Sequence, residues 1–585
     1  MPENLVKARN KQAMLRARRF SVPHRWLYFI VLWLIDWGGP LFILCKFKRA
    51  RKLSDVQFEL FIRRLKENPV SLVQIAAVFA FVPLIEVLIE EIPPNRRESH
   101  PLSKYSLIST GSDNSDVVII GSGAGGAPAA LALSRHGMKV TLIEKGGIIK
   151  FDSAPRMLEN YYVGQGLTLS LTGGTLLVLA GSTVGGTTSV NSGTCLRPLK
   201  ECLSVWDNLL NTKFAEGELD TYLQQAETQI GVTVPPRSLL SKSAELFEKG
   251  LNELGRTGAY VLPRNASSCE GSGRCCFGCP TGAKQSTDYS FLPQAVEAGA
   301  KLLINTVATK IVEKKDAVSV NIDGPDGKKT IYCKHLIIAG GALYTPGILR
   351  RNHLGSQLEE AGKHLKIHPA TKVFAYFPDH YHGERGVPQG LGYMPPELPR
   401  ITLEGIHTPK SMMGPIFSVG GEKFNWWFSH AGHLASFGLM QRDRNKGSLF
   451  EVNSFPWINY KLHHDDARDI GSGIKLIAQA FFAAGAERVL LPLAGKSKKE
   501  FCSADELNDF KPEHSGTKDM IISGFHPQGT AGMGRVVDTD LKLIGSKRIF
   551  VCDASVFPDS PGVNPQITIM ALSLRLAEML IKNSH

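Results

Sequence analysis

A glycine-rich turn set between a strand and a helix constrains this chain more than any other feature. Asp116-Val-Val-Ile-Ile120 reads as a short buried strand, and Gly121-Ser-Gly123-Ala-Gly125-Gly126 follows it directly. An Ala-rich helical stretch over residues 127–136 comes next, then a second strand over residues 139–143 that ends at Glu144. Each residue type has a physical task in a dinucleotide site. Gly121 permits the tight turn, Gly123 lets the backbone approach a pyrophosphate, and Gly126 lets helix and strand pack closely. The helix N-terminus offers free N–H groups to phosphate, and an acid about twenty residues on accepts the ribose hydroxyls. The glycines alone are a weak signal; strand, helix and Glu144 in this order make a strong one.

The rest of the chain decides which dinucleotide. Near the C-terminus, Arg548-Ile-Phe-Val-Cys-Asp553 is an apolar strand ending in an acid, and residues 335–339 form a third strand that runs into Gly340-Gly341. Pieces of one nucleotide domain are therefore spread over the whole sequence. That distribution favours a discontinuous flavin domain over a compact NAD module, with Asp553 holding the ribityl chain and pyrophosphate of FAD.

A chain of 585 residues exceeds one compact domain, so two or three units are expected. Its net charge of +13 resembles a nucleic-acid signal until its placement is read. Residues 1–69 carry 15 Lys and Arg against 5 Asp and Glu, leaving 52 against 49 for the remainder. The excess sits at one end, flanking the apolar residues 26–45 and a second apolar run at 70–89. Membrane lipid explains this arrangement and nucleic acid does not. Asp36 and Gly38-Gly39-Pro40 interrupt the first run, and both its flanks are basic, so membrane association is expected without a defined span or orientation. The first run starts late and lacks a small-residue cleavage site, so no secretory signal is expected, and the catalytic part is placed facing the cytoplasm.

Further motifs carry a family resemblance. Ala180-Gly-Ser-Thr-Val-Gly185-Gly186-Thr-Thr-Ser-Val-Asn191 resembles the first glycine-rich signature of the glucose–methanol–choline oxidoreductases, and Gly341-Ala-Leu-Tyr-Thr345-Pro346 resembles the second. Ser523-Gly-Phe-His526-Pro-Gln-Gly529 is similar to the family's catalytic-histidine motif, and Val563-Asn564-Pro565 matches the segment of its second active-site residue. The resemblance implies an α/β fold: a discontinuous Rossmann-like FAD-binding domain (115–200, 300–372 and 518–585) and an α+β substrate domain with an antiparallel sheet (373–517). Residues 201–299 form a substrate and cysteine-loop region, 1–92 membrane-associated helices, and 93–114 a linker. It further implies that Gly121, Gly123, Gly126, Glu144, Gly185, Gly186, Asn191, Asp553 and Asn564 bind FAD.

The implied reaction is oxidation of an alcohol CH–OH group by hydride transfer to flavin, with electrons passed to oxygen, a quinone or a cytochrome. His526 suits the base beside the hydroxyl, since imidazole titrates near working pH, and Asn564 suits the orienting role. The loop from Cys269 to Lys284 looks like that of long-chain alcohol oxidases and like the cysteine loop of sugar dehydrogenases that hold an iron–sulfur cluster. Cys269, Cys275 and Cys279 are accordingly expected to ligate iron–sulfur, with zinc and a metal-free loop as the competing readings. The lipophilic substrate that long-chain alcohol oxidases suggest competes with a sugar or polyol, and with a fatty-acid photodecarboxylase reaction on the same fold. The aromatic stretch 417–440 fits either an apolar substrate wall or ordinary sheet core. His430, His433, His463 and His464 complete no recognisable metal set, and His368 reads as structural.

Overall fold

Residues 99–105, 114–166, 168–170, 176–379, 385–420, 422–495 and 497–584 are described in a computed structural model of the chain, and two large sheets organise them. The basic and apolar segment 1–92 lies outside the described residues, as do 93–98 and 106–113 of the linker. No helix among the described residues is long and apolar enough to cross a membrane.

The first sheet has seven strands. Its parallel centre places Asn114–Ile120 between Val140–Ile143 and Gly327–Ile338, with Lys301–Leu303 beyond the former. Ile549–Val551 adds to the end of Gly327–Ile338, also in parallel. Val117 through Ile119 are fully buried, as expected for a parallel strand covered on both faces. The helices Gly126–Arg135, Phe291–Glu297 and Gln566–Lys582 pack together in this unit. Ser573 ties two of them, accepting from the Ala129 amide at 3.0 Å and donating to the Gly125 carbonyl at 2.6 Å. Strands from residues 114–143, 301–338 and 549–551 thus share one sheet.

The second sheet has ten strands. Pro369–Tyr376, Leu434–Gln441 and Ile401–Gly405 lie side by side, antiparallel, and the long helix His464–Ala483 packs on them. The boundary between the units differs from the sequence reading. Trp206, Phe214, Leu223 and Phe291, all within 201–299, belong to the nucleotide core, whereas Leu176, Val178 and Ile522 belong to the core of the second sheet. The linker is also partly docked: His100 Nε2 lies 3.0 Å from the buried Asp288 carboxylate, which in turn receives the Ser189 hydroxyl.

Candidate active site

The glycine turn closes the first strand as steric demand requires. Gly121 has φ of +107°, and a Cβ there would strike the Ala339 carbonyl. A Cβ on Gly126 would strike the Gly121 carbonyl, and one on Gly125 the Cys552 carbonyl of the C-terminal strand. Gly123 differs, because a Cβ there would come no nearer than 3.8 Å to any neighbour. Its open side faces a cavity of about 860 Å³. The amides of Gly123, Ala124 and Gly125 have no acceptor among the described residues, which is what a phosphate-binding turn needs.

Two acids brace this cradle. Glu144 accepts from the Ser122 amide (3.0 Å) and hydroxyl (2.7 Å) on one oxygen and from the Gly146 amide (2.7 Å) on the other. Asp553 accepts from the Gly341 amide (2.9 Å), the Thr345 hydroxyl (2.6 Å) and the Ser555 amide (2.7 Å). Burial raises both carboxyls, and these hydrogen bonds oppose the rise. Gly185 and Gly186 both have positive φ, and Gly186 packs against Gly123. Asn191 is held by its amide donating to Gln566 (2.9 Å) and its Oδ1 accepting from the Gly193 amide (3.0 Å).

His526 and Asn564 line the same cavity as this cradle. His526 Nδ1 lies 3.1 Å from His368 Nδ1, which leaves Nε2 for the cavity. His368 Nε2 in turn meets Ser560 Oγ at 2.5 Å and Gln528 Nε2 at 2.9 Å. Enclosure lowers His526 to about 4, so its imidazole is neutral at physiological pH. Asn564 is buried, and its Oδ1 has no hydrogen-bond partner among the described residues.

Family models described as GMC oxidoreductase match residues 158–370 and 451–573, and one described as pyridine nucleotide-disulphide oxidoreductase matches 115–170. An uncharacterized GMC-type oxidoreductase of Mycobacterium tuberculosis is 32% identical over 481 residues, which span 80% of this chain and 76% of that one. The chain belongs to the GMC oxidoreductase family. Long-chain-alcohol oxidase FAO3 of Arabidopsis thaliana is 29% identical over 80% of this chain and 68% of its own. Pyridoxine 4-oxidase from Mesorbium loti shares the fold with a TM-score of 0.61 at 19% identity, covering 81% of this chain and all (100%) of that one. A formate oxidase of Aspergillus oryzae does so with a TM-score of 0.60 at 15% identity, covering 82% and 99%. As a GMC oxidoreductase this chain binds FAD, and the open glycine turn, the unpaired amides and the two braced acids fit that cofactor.

The cysteine loop departs from the expected ligand set. No group of three or more His, Cys, Asp or Glu among the described residues is placed to hold a metal ion. Each sulfur has its own neighbour instead. Cys275 accepts from the Arg264 guanidinium at 3.1 Å, Cys269 from the Gly271 amide at 3.4 Å, and Cys279 lies 3.3 Å from the Thr281 hydroxyl. The loop does fasten the flavin signature. The buried Lys284 donates to the carbonyls of Ser189 and Asn191 (both 2.9 Å) and of Cys275 (2.8 Å). The residues present therefore do not fit an iron–sulfur cluster.

The aromatic stretch resolves as core. Trp427 lies on the helix Glu422–Ser429 and packs with Phe374 and Phe417, while Phe437 stacks on Phe247 with ring centroids 3.7 Å apart. None of these rings lines the cavity, whose apolar wall comes from Leu179, Ile406, Met412, Ile416 and Leu439.

Sequence reasoning missed Glu404. It lies within the strand Ile401–Gly405, lines the cavity, and accepts on Oε2 from the Gln389 amide, while Oε1 has no hydrogen-bond partner among the described residues. Burial pushes its carboxyl up to about 7, against the lowering influence of the neighbouring Asn564 amide. An acid among Ile401, Thr402, Leu403 and Gly405 was the available signal.

Proposed function

We propose that this oxidoreductase oxidises the CH–OH group of an apolar alcohol, with His526 as proton acceptor and Asn564 as the group that orients the hydroxyl. The observation that carries this reading is the convergence of a neutral imidazole and an unpartnered amide oxygen on the cavity that holds the glycine turn. When bound, FAD supplies the hydride acceptor at its N5. His526 takes the hydroxyl proton on Nε2 when its own Nδ1 proton is donated to His368. His368 then donates from Nε2 to Ser560, and a turned Gln528 amide sets its otherwise unpartnered Oε1 against the same N–H. The Asn564 amide favours the Glu404 carboxylate beside it, and its unpartnered Oδ1 is left to accept the substrate hydroxyl. Apolar lining at Leu179, Ile406, Met412, Ile416 and Leu439 supports a lipophilic chain, as does similarity to enzymes named long-chain-alcohol oxidases. A chain-length series of primary alcohols tests this: kcat/KM should rise with each methylene, and a preference for sugars would defeat it.

Attachment to membrane lipid through residues 1–92 is part of the same proposal and rests on their charge and apolar pattern. Full-length protein should sediment with membranes from a cell lysate, and a chain starting at residue 93 should remain soluble and yellow. Full-length protein that stays soluble without detergent would refute the attachment.

A further inference from the structure

Lys372 is a cation lining the cavity, with no ion-pair partner among the described residues. It lies on the strand Pro369–Tyr376, where register sets it opposite Gly438, and Gly438 in turn lies opposite Glu404. Cross-strand partners share a face of the sheet, so Lys372 and Glu404 look onto the same cavity about 10 Å apart, two strand spacings. The residue between them is glycine, and the Ile406 side chain packs over it. Lys372 Nζ donates to the hydroxyl of the buried Thr408. It has no carboxylate within ion-pair distance among the described residues.

The other groups facing Lys372 do not balance its charge. Cys276, from the cysteine loop, is a thiol that burial pushes up to about 11, so it is uncharged at neutral pH. His407, beyond the neighbouring strand, is lowered to about 3 by burial and by Lys372 itself, so it is uncharged too. Its Nε2 is buried and has no hydrogen-bond partner among the described residues. Burial lowers Lys372 only to about 8, which leaves the ammonium mostly protonated at neutral pH. An enclosed ammonium is retained where an anion joins it, because an unpaired buried charge is strongly disfavoured. All four residues line the same cavity as His526 and Asn564.

We propose that Lys372, Thr408 and His407 form an anion subsite that takes the carboxylate of an apolar-chain acid, so that the alcohol oxidised is a hydroxy acid. The carboxylate accepts from the Lys372 ammonium and the Thr408 hydroxyl, and from His407 when Nε2 carries the proton. Its apolar chain runs along Ile406 and Leu439 toward the polar end of the site. The inference rests on the alcohol-oxidase reading for the hydroxyl end alone, since the carboxylate end is a binding claim.

Calorimetric titration of the FAD-loaded enzyme with decanoate, which has no hydroxyl to oxidise, tests it apart from turnover. Decanoate should bind the wild type, and Lys372→Met should weaken it by roughly 30-fold or more, the scale of removing one partner of a buried charge pair. Lys372→Arg should restore most of the affinity, while 1-decanol should bind wild type and Lys372→Met alike. In the wild type alone, decanoate binding should weaken as pH rises through the lysine titration, since the ammonium is lost. Equal decanoate affinity in wild type and Lys372→Met, or affinity that does not change with pH, would overturn the subsite. So would a Lys372→Met variant whose only defect is a shifted flavin potential, since the ammonium would then answer to the cofactor. A failure of alcohol oxidation with decanoate binding intact would fall on the function proposed above and not on this subsite.

Discussion

The two ends of the cavity are finished to different degrees. At the nucleotide end, Glu144 and Asp553 have each oxygen engaged by amides or hydroxyls of the protein. At the substrate end, Glu404 Oε1, Asn564 Oδ1 and His407 Nε2 are buried without hydrogen-bond partners among the described residues. Unpartnered buried polar atoms are costly, and in a native fold they mark a place where something else supplies the hydrogen bond. The nucleotide end is therefore braced to hold a resident cofactor in one geometry, while the substrate end waits for a transient guest. At the first end the open amides of Gly123 to Gly125 point to the group that stays.

Glycine substitutions should break this contrast most sharply. Gly123→Val leaves the protein's own packing intact, because the position is open, and should abolish FAD binding by filling the pyrophosphate approach. The expected product is a folded, colourless protein by circular dichroism and visible absorbance. Gly125→Val should instead prevent folding, since its Cβ would strike the Cys552 carbonyl. Equal flavin content in Gly123→Val and wild type would remove the basis for calling that end a cofactor cradle.

His526→Ala comes next in size. Flavin content should be unchanged and anaerobic flavin reduction should slow by roughly 10²-fold or more, the scale of a positioned base. His368→Ala should give a smaller loss, since it removes the partner that orients Nδ1. An unaltered reduction rate in His526→Ala would move the base elsewhere.

Glu404→Gln should sharpen the comparison through pH. The carboxyl is raised to about 7, so the carboxylate that steadies Asn564 forms only as pH rises through that value. Wild-type kcat/KM should therefore fall several-fold below pH 7, and the glutamine variant should lose that limb. Stability carries the opposite sign. A carboxyl whose folded pKa is raised contributes stability that is full below its unfolded value and is lost as pH rises through about 7. Thermal unfolding should show Glu404→Gln gaining a few degrees on the wild type above pH 7 and nothing at pH 4. A constant difference across pH would mean that Glu404 does not titrate in the fold.

These ends also differ in how far the sequence reveals them. The turn at Gly121 to Gly126, the acid at Glu144 and the return at Asp553 are legible because close backbone approach admits glycine alone and the acids end strands at fixed places. His526 and Asn564 are legible only through their surrounding motifs. Glu404 and Lys372 were passed over because one charged residue in a mainly apolar strand reads as a surface position; antiparallel pairing through Gly438 is what sets both on one face of the sheet. The unit boundaries were misplaced for a related reason. Helices such as Asp220–Gln229 have an apolar stripe that fits any core, and only the packing against Gln566–Lys582 assigns them. Cysteine spacing likewise suggested a cluster, whereas the loop's buried cation, Lys284, fastens the flavin signature at Ser189 and Asn191. Iron and acid-labile sulfide analysis of anaerobically purified protein should accordingly find neither in stoichiometric amount.

Anaerobic rapid mixing of the purified holoenzyme with a long-chain primary alcohol tests the central claim most directly. The flavin absorbance should bleach in the wild type and persist on the same timescale in His526→Ala. Flavin that stays oxidised with primary alcohols, hydroxy acids, sterols and sugars alike would contradict the assignment of this cavity to alcohol oxidation.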